Sequence, residues 1–341
     1  MNANPSPRQI VQGLLQGVPP PRPLFVPIVF ALGARVENLP LRAFLGNATK
    51  ISNALRQIRS HLRSDGVTCY FDPYLEAEAL GGARQWPEEG QRPRISWPQP
   101  GARGALPRDL RTPEEAAKSA PVTVATEVIR RLKPLLRDQP LLMAGVAGPF
   151  TLAARLTQLE GEPMLRREDL PDAALDLAAL AITKVAAALV EAGANLIFIQ
   201  EEVLPALSPE SCQAWASWLV PAINVIRFYE ALPVLQIASS RSFAENRESI
   251  LQQRWDCVVC PALEAISSPP PGKTSRSAML GIALPVEAFQ PEGPDSRDLG
   301  DFLDHLIEEF EPAILTTAGD VPAATDMKRL NQFWGGGRAR V

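Results

Sequence analysis

Near its middle the chain reads Leu141-Leu142-Met143-Ala144-Gly145-Val146-Ala147-Gly148-Pro149-Phe150-Thr151-Leu152-Ala153-Ala154. Residues 141–146 form an uninterrupted apolar run, typical of a strand that is buried on both faces of a parallel sheet. Gly148 permits a tight exit from the strand, and Pro149 suits the first turn of a helix. The free N–H groups at such a helix start can bind an anion. The same sequence would also suit a strand-to-helix connection that binds no ligand. The stretch therefore predicts a strand and a helix with a candidate anion site between them.

Short apolar runs of the same kind recur along the chain and are separated by segments of helical periodicity. The eight runs are residues 24–30, 67–71, 141–146, 195–200, 233–238, 256–260, 279–284 and 313–317. The predicted helices are residues 48–63, 114–137, 172–192, 210–231, 243–254 and 298–311. Because parallel strands need such crossover helices, this alternation predicts an α/β protein with a single (β/α)8 TIM barrel. The predicted barrel covers residues 24–334, after a lead-in of residues 1–23 and before a flexible tail of residues 335–341.

Composition and charge narrow the class of protein. The chain has 341 residues, of which 46% are apolar and 21% charged, a profile typical of a soluble globular protein. Its 34 basic and 38 acidic residues are mixed along the chain, so no basic face suggests nucleic acid. The four cysteines show no disulfide framework, the start lacks a signal peptide, and the most apolar stretch, residues 173–190, carries two charges. We therefore expect a cytoplasmic protein without a membrane segment.

The carboxyl ends of the strands are where a TIM barrel places its active site. The residues that follow the apolar runs are Arg35, Asp72, Gly148, Glu201, Glu202, Ser239, Ser240, Glu287 and Asp320. Residues 84–112 form a long stretch rich in proline, glycine and arginine after the second strand, and loops of that length are uncommon unless functional. The sequence predicts that this loop lies over the barrel mouth, with solvated arginines on a mobile loop as the competing interpretation.

Several motifs resemble the uroporphyrinogen decarboxylase superfamily. Residues 148–152 are similar to its Gly-x-Pro-[Phe/Trp]-Thr-Leu signature, and residues 193–199 resemble its Gly-Ala strand. Residues 70–73, Tyr-Phe-Asp-Pro, resemble its Phe-Ser-Asp turn, and residues 76–81 resemble the Ala-Leu-Gly motif beyond it. The chain is identified as a divergent member of this superfamily, with the resemblance extending from about residue 20 to residue 334.

The resemblance implies cofactor-independent decarboxylation of a carboxylated tetrapyrrole or a similar anion, by an enzyme that forms a dimer in this family. Asp72 matches the aspartate that receives the pyrrole N–H groups and stabilises the ring-protonated cation, a role that suits a fixed anion. Arg35 falls near the family arginines that hold substrate carboxylates. Gly148, Phe150 and Asp320 complete the expected substrate site at the strand ends.

Three positions depart from the family pattern. Arg155 replaces a tyrosine, Glu202 replaces a serine, and Ala318 replaces a histidine. Arg155 offers a charged fork for a carboxylate or phosphate, while Glu202 adds an acid. We therefore include Arg155 and Glu202 among the expected substrate-binding residues, and we expect a changed substrate.

Two other functions stay open. Corrinoid-dependent methyltransferases of the same superfamily hold zinc through a His-x-Cys at the fifth strand and a later cysteine, whereas this chain has Gln236-Ile237-Ala238 there. A barrel that binds a tetrapyrrole or corrinoid without catalysis is the second alternative. The lone pair Cys257 and Cys260 points to opposite faces of a strand, so buried thiols are favoured over a metal site, and neither a metal nor a cofactor is predicted.

Overall fold

The computed structural model describes residues 5–62, 64–86, 93–136, 140–162, 165–262, 278–290, 296–325 and 330. The predicted tail, residues 335–341, lies outside these ranges. The strands are β1 (Leu24–Phe25), β2 (Gly66–Tyr70), β3 (Ala83–Gln85), β4 (Arg94–Ser96), β5 (Leu141–Ala147), β6 (Leu196–Glu201), β7 (Leu232–Ile237), β8 (Cys257–Pro261), β9 (Met279–Leu284) and β10 (Ile314–Thr317). The helices are α1 (Pro7–Leu15), α2 (Leu32–Val36), α3 (Leu41–Leu45), α4 (Ala48–His61), α5 (Leu75–Ala79), α6 (Pro113–Ala116), α7 (Ala120–Leu136), α8 (Pro149–Leu156), α9 (Asp172–Ala192), α10 (Pro209–Phe228), α11 (Ser240–Gln252) and α12 (Ser296–Phe310).

Eight parallel strands form one sheet in the order β1-β10-β9-β8-β7-β6-β5-β2. Neighbouring strands of this sheet are also consecutive along the chain among its eight strands, except for β1 and β10. The first strand, β1, pairs with the last strand, β10, so the sheet curves round on itself. Helices flank the sheet, so the predicted (β/α)8 TIM barrel is confirmed. The strands are buried along nearly their whole length, which explains why they read as continuous apolar runs.

Side chains, rather than a regular ladder, join β1 to β2 and close the barrel. The predicted first strand, residues 24–30, pairs as a strand only over Leu24–Phe25 because Pro27 has no N–H to donate. The hydroxyl of Thr68 accepts from the amide of Val29 at 3.3 Å and donates to the carbonyl of Pro27 at 3.2 Å. The carboxylate of Asp65 accepts from the amide of Phe25 at 2.9 Å. Two polar side chains thus replace the missing backbone bonds along this edge.

The N-terminal lead-in contains a helix that the sequence analysis did not predict. Helix α1 begins at a capping box, in which Ser6 and Gln9 bond each other's backbone amides, with Pro7 at the first helical position. Its residues Ile10, Val11 and Leu14 are buried, and the helix contacts β7. Arg22 then anchors the lead-in by a two-pronged bond to Asp65, at 2.7 and 3.1 Å.

The predicted helix at residues 114–137 is two helices. Helix α6 ends at Ala116, and α7 begins at Ala120 with Pro121 in its first turn, where a proline fits because its missing N–H is not needed. The break places the start of the long helix α7 at the same end of the barrel as the carboxyl ends of the strands, since crossover helices run opposite to them.

Helix α9 is the one described helix that is long and apolar enough to cross a membrane by length and composition. In its most apolar window, 56% of the residues are buried in the protein. It packs against α8 and α10, as core helices do.

The bond between Arg22 and Asp65 gives a test of the barrel closure. Asp65 is 1% exposed, so Asp65→Ala removes a buried carboxylate that accepts from Arg22 and from the amide of Phe25, and it should lower the free energy of unfolding by about 3 kcal/mol. Arg241→Ala is the control, because its pair with Glu245 on α11 is solvent-exposed and should contribute less than about 1 kcal/mol. Urea titrations measure both values, and equal effects of the two substitutions would contradict the closure.

Candidate functional site

A cavity of about 680 Å³ opens at the carboxyl ends of the barrel strands, and we call it the mouth cavity. Residues at the ends of β2, β6, β7, β8, β9 and β10 line it, which is the expected place for a barrel active site. Its polar lining residues are Asp72, Tyr74, Arg84, Gln200, Glu202, Ser239, Ser240, Glu287 and Asp320. The cavity therefore lies at the strand ends where the sequence predicts the site, and its role as the site stays a prediction.

Asp72 lies directly after β2 and is held from two sides. Its Oδ1 accepts from the amide of Tyr74 at 3.1 Å, and its Oδ2 accepts from the guanidinium of Arg84 at 2.5 Å. Arg84 also donates to Glu78 at 2.7 Å and lies 5.2 Å above the ring of Tyr74. The side chain of Asp72 is only 2% exposed, so the carboxylate is fixed in one orientation beside the cavity.

Asp320 reaches the mouth cavity after β10, and β1 is the one strand between β10 and the strand β2 that leads to Asp72. Its two oxygens accept from the amides of Phe30 and Ala31, each at 2.7 Å. Burial raises the pKa of this carboxyl to about 7, and the negative charge of Asp72 acts in the same direction, although the two amides oppose it. The mouth cavity thus contains both an ion-paired carboxylate, Asp72, and a carboxyl group, Asp320, whose raised pKa favours binding of a proton near neutral pH.

The helix start at Gly148, a candidate anion site, is occupied by the protein's own Glu201. One oxygen of Glu201 accepts from the amide of Phe150 at 3.1 Å and from the indole of Trp215 at 2.9 Å. The other accepts from the amide and the hydroxyl of Thr151, at 2.9 and 2.7 Å. Gly148 permits this approach, because a Cβ on it would lie 2.2 Å from the carboxyl carbon of Glu201. Gly148 and Phe150 therefore hold a buried side chain at the point where the sequence suggested a ligand.

The consecutive glutamates after β6 have separate environments. Glu201 is fully buried, and burial raises its pKa to about 7 against the four donors that lower it. Glu202 turns to the mouth cavity and accepts from Arg155 at 2.9 Å.

Arg155 is 1% exposed and uses its guanidinium within the protein. It donates to Glu160 at 2.9 Å, to Glu202, and to the carbonyl of Pro73, and it lies 4.8 Å above the ring of Tyr74. These contacts connect helix α8 to the loop that carries Asp72. In this structure the guanidinium thus joins two walls of the mouth cavity.

Arg35 does not reach the mouth cavity. Its side chain is exposed on α2 and donates to the carbonyls of Ala323, Ala324 and Thr325, at 3.1 to 3.3 Å. Arg35 is absent from the lining of the mouth cavity, so the structure separates it from the other expected site residues.

Arg84 is the site residue that the sequence analysis placed only in a loop. It belongs to the short antiparallel hairpin of β3 and β4, which folds back beside the barrel mouth. Tyr74 fixes that hairpin by donating its hydroxyl to the carbonyl of Pro93 at 2.6 Å. The signal in the sequence was the arginine-rich composition of residues 84–112, but the pairing of Arg84 with Asp72 depends on the folded hairpin. Of the other arginines expected over the mouth, Arg92 lies outside the described residues.

A second opening of about 930 Å³ lies beside the mouth cavity and shares Leu45 and Arg84 with it. We call it the cationic cleft, because its charged lining residues are the cations Arg42, Arg84, Arg111 and Lys118 and the carboxylates Glu78 and Glu115. The mouth cavity has the opposite balance, with Arg84 as its cation and Asp72, Glu202, Glu287 and Asp320 as its carboxyl groups. The two neighbouring spaces therefore favour groups of opposite charge.

The family model of Uroporphyrinogen decarboxylase (URO-D) matches residues 8–227, more than half of the chain. The chain belongs to this family. No curated protein sequence matches it significantly. The matched part of this URO-D family member includes Asp72, the hairpin with Arg84, and the helix start that holds Glu201.

Solved structures confirm the fold. A methyltransferase from Methanosarcina mazei is similar with a TM-score of 0.76 and 17% identity, covering 98% of this chain and 99% of that chain. A putative vitamin-B12 independent methionine synthase from Listeria monocytogenes is similar with a TM-score of 0.55 and 12% identity, covering 94% and 96%. A B12-independent methionine synthase from Shewanella sp. W3-18-1 has a TM-score of 0.52 and 15% identity, covering 86% and 88%. At these identities the likeness shows the barrel fold alone.

The raised pKa of Glu201 leads to a prediction about stability and pH. Because the folded-state pKa lies above the ordinary value of 4.5, its contribution to stability is present at low pH and is lost as the pH rises through about 7. Glu201→Gln removes this titration. The destabilisation by Glu201→Gln relative to the wild type should therefore shrink by about 2 kcal/mol between pH 5 and pH 8.

Urea titrations at several pH values measure this difference. Trp215→Phe is the matched control, because it removes one donor to Glu201 and keeps the carboxyl, so the pH dependence should persist. A penalty for Glu201→Gln that stays constant from pH 5 to pH 8 would show that this carboxyl does not titrate in that range.

Proposed function

We propose that this protein decarboxylates a carboxylated, ring-containing substrate by protonating it, with Asp72 stabilising the resulting cation and Asp320 donating the proton. The carboxylated tetrapyrroles that the family resemblance implies are the substrate class we expect. The observation that carries the proposal is the different state of two carboxyl groups in one cavity. Asp72 is ion-paired with Arg84, whereas burial raises the pKa of Asp320 to about 7. A fixed anion beside a proton donor is what acid catalysis through a cationic intermediate needs.

The reaction can be written with these two groups alone. Asp320 transfers its proton to a ring carbon of the substrate, and the positive charge that forms is stabilised by Asp72. The carbon–carbon bond to the departing carboxylate then breaks, carbon dioxide leaves, and the bonding electrons neutralise the cation. Asp320 takes up a proton from solvent, so each turnover consumes one proton and releases one carbon dioxide.

The acidic mouth cavity supports a particular orientation of the substrate. Carboxylates surround the place where the ring would lie, so they stabilise positive charge there and repel the remaining substrate carboxylates. The volume of about 680 Å³ lies in the range of ordinary small-molecule pockets. We propose that Glu202 contacts the substrate and that Gly148, Phe150 and Arg155 position the walls. Arg35 could bind substrate only outside the mouth cavity.

Methyl transfer and binding without catalysis are the competing functions. At the strand position of the family's zinc ligands, Gln236 donates its amide to the carbonyl of Thr317 across the barrel. Among the residues that the structure describes, no group of three or more His, Cys, Asp or Glu side chains is arranged to hold a metal. Stoichiometric zinc in the purified protein would nevertheless support the methyltransferase function.

We also propose a cytoplasmic location and a homodimer, as extensions of the family resemblance. The four cysteines are buried and form no disulfide, which suits a reducing compartment. The partner we expect for catalysis is the small carboxylated substrate itself.

The decarboxylation is tested by anaerobic incubation with uroporphyrinogen and with smaller carboxylated pyrroles, followed by mass spectrometry. We expect stepwise loss of carbon dioxide and a kcat/KM that falls as the pH rises through about 7, because Asp320 must be protonated. Asp72→Asn should lower kcat/KM by about 10²-fold or more. Asp320→Asn should abolish the fall in rate with pH along with most of the activity.

Controls separate catalysis from folding. Asp176→Asn changes an exposed carboxylate on α9 and should leave the rate unchanged. In Asp72→Asn, Arg84 keeps its bond to Glu78, so the circular dichroism spectrum should match that of the wild type. Normal turnover by Asp72→Asn would remove Asp72 from the mechanism, and tight binding without products would favour the non-catalytic function.

A further inference from the structure

The cationic cleft contains a helix start whose polar groups are unused. Helix α7 has 17 residues, and its first helix-type bond runs from the amide of Thr123 to the carbonyl of Ser119. Within the described ranges, the amides of Ala120 and Val122 have no acceptor, and Pro121 has no N–H. These donors, together with the helix dipole, favour negative charge at this end.

Ser119 gives an independent indication of a ligand. It precedes α7 and lines the cleft, it is only 9% exposed, and its hydroxyl oxygen has no hydrogen-bond partner in the described part of the chain. A serine at this position ordinarily accepts from an amide of the first helical turn. A buried hydroxyl without a partner is costly, so a group supplied from outside would satisfy it.

The charges of the cleft support the same conclusion. Its two carboxylates are engaged: Glu78 accepts from Arg84 at 2.7 Å, and Glu115 accepts from the amide and hydroxyl of Thr112, at 2.8 and 2.9 Å. Arg42 and Lys118 are exposed at the rim. Charge-assisted bonds from such cations to an oxyanion are stronger than bonds between neutral groups.

We propose that the cationic cleft binds carboxylate groups of the substrate, with one carboxylate at the start of α7 between Ser119 and Lys118. That the ligand is the substrate rests on the proposed function, whereas the carboxylate site rests on the geometry of the cleft. Arg84 and Leu45 line both openings, so one molecule can place its reacting ring in the acidic mouth cavity and its other carboxylates in the cleft. The ring of Trp86, 5.2 Å from the guanidinium of Arg84, offers a flat apolar surface within the cleft.

Isothermal titration calorimetry of the full chain with tricarballylate, a simple tricarboxylate, tests the site at low ionic strength. Ser119→Ala should weaken binding about tenfold, because a hydrogen bond to a charged group is lost. The same substitution should leave the thermal stability of the free protein unchanged or higher, since the hydroxyl bonds nothing in the described protein. Lys118→Ala should weaken binding by a similar factor, and Lys118→Arg should restore it.

Arg241→Ala is the matched charge control, because it removes an exposed arginine on α11, outside the lining of the cleft. It should bind tricarballylate as the wild type does. Absence of binding, binding that is insensitive to Ser119→Ala and Lys118→Ala, or binding of pyrophosphate to the exclusion of tricarballylate would each overturn the carboxylate site. Calorimetry needs no turnover, so it tests the carboxylate site independently of catalysis. Binding of tricarballylate that is weakened by Ser119→Ala and Lys118→Ala, in a protein that decarboxylates none of the pyrroles, would contradict the proposed function but support the carboxylate site.

Discussion

The packing of Glu201 against the start of helix α8 is the interaction on which the rest of the site depends. Two carboxyl oxygens, buried completely, satisfy four donors from α8 and α10. Without that acceptor, two amides, a hydroxyl and an indole would be buried unpaired, each at a cost of about 1–3 kcal/mol. The requirement explains the local sequence: a glycine is needed at position 148 because the carboxyl group occupies the space of its side chain.

From this contact a chain of bonds leads to the cavity. The hydroxyl of Thr151 donates to Glu201 and accepts the amides of Glu202 and Val203, at 2.9 and 3.1 Å, so the end of β6 has a fixed direction. Glu202 then binds Arg155, which donates to the carbonyl of Pro73, next to Asp72. A buried network of this kind holds a carboxylate in place before substrate arrives, and such preorganisation makes electrostatic stabilisation effective. The guanidinium of Arg155 thereby connects walls of the cavity that lie far apart in sequence.

The fold was predictable because a parallel sheet buried on both faces leaves apolar runs of strand length, and all eight runs lie on the eight barrel strands. The secondary-structure elements that were not predicted correctly from the sequence have local causes. Pro27 prevents a regular first strand, the capping box at Ser6 and Gln9 was overlooked, and Pro121 begins a new helix inside a continuous helical pattern. The site was predictable only as a set of strand-end carboxylates. Which glutamate turns inward, and which arginine reaches Asp72, depends on the packing of α8 and on the hairpin of β3 and β4.

The separation of charge between the two openings follows from the same architecture. Strand ends supply the mouth cavity, and their carboxyl groups accept backbone amides or arginines, so acidic groups collect there. The start of a crossover helix supplies the neighbouring cleft, and helix starts carry partial positive charge. A ligand that spans both spaces must therefore be anionic at one end and able to carry positive charge at the other. Protonation of a ring that bears several carboxylates produces such a distribution of charge when the protonated ring lies in the mouth cavity and some of its carboxylates reach the cleft. On the proposed function, we therefore expect the barrel to select a ligand by the order of its charges, with Arg84, which lines both openings, at the boundary.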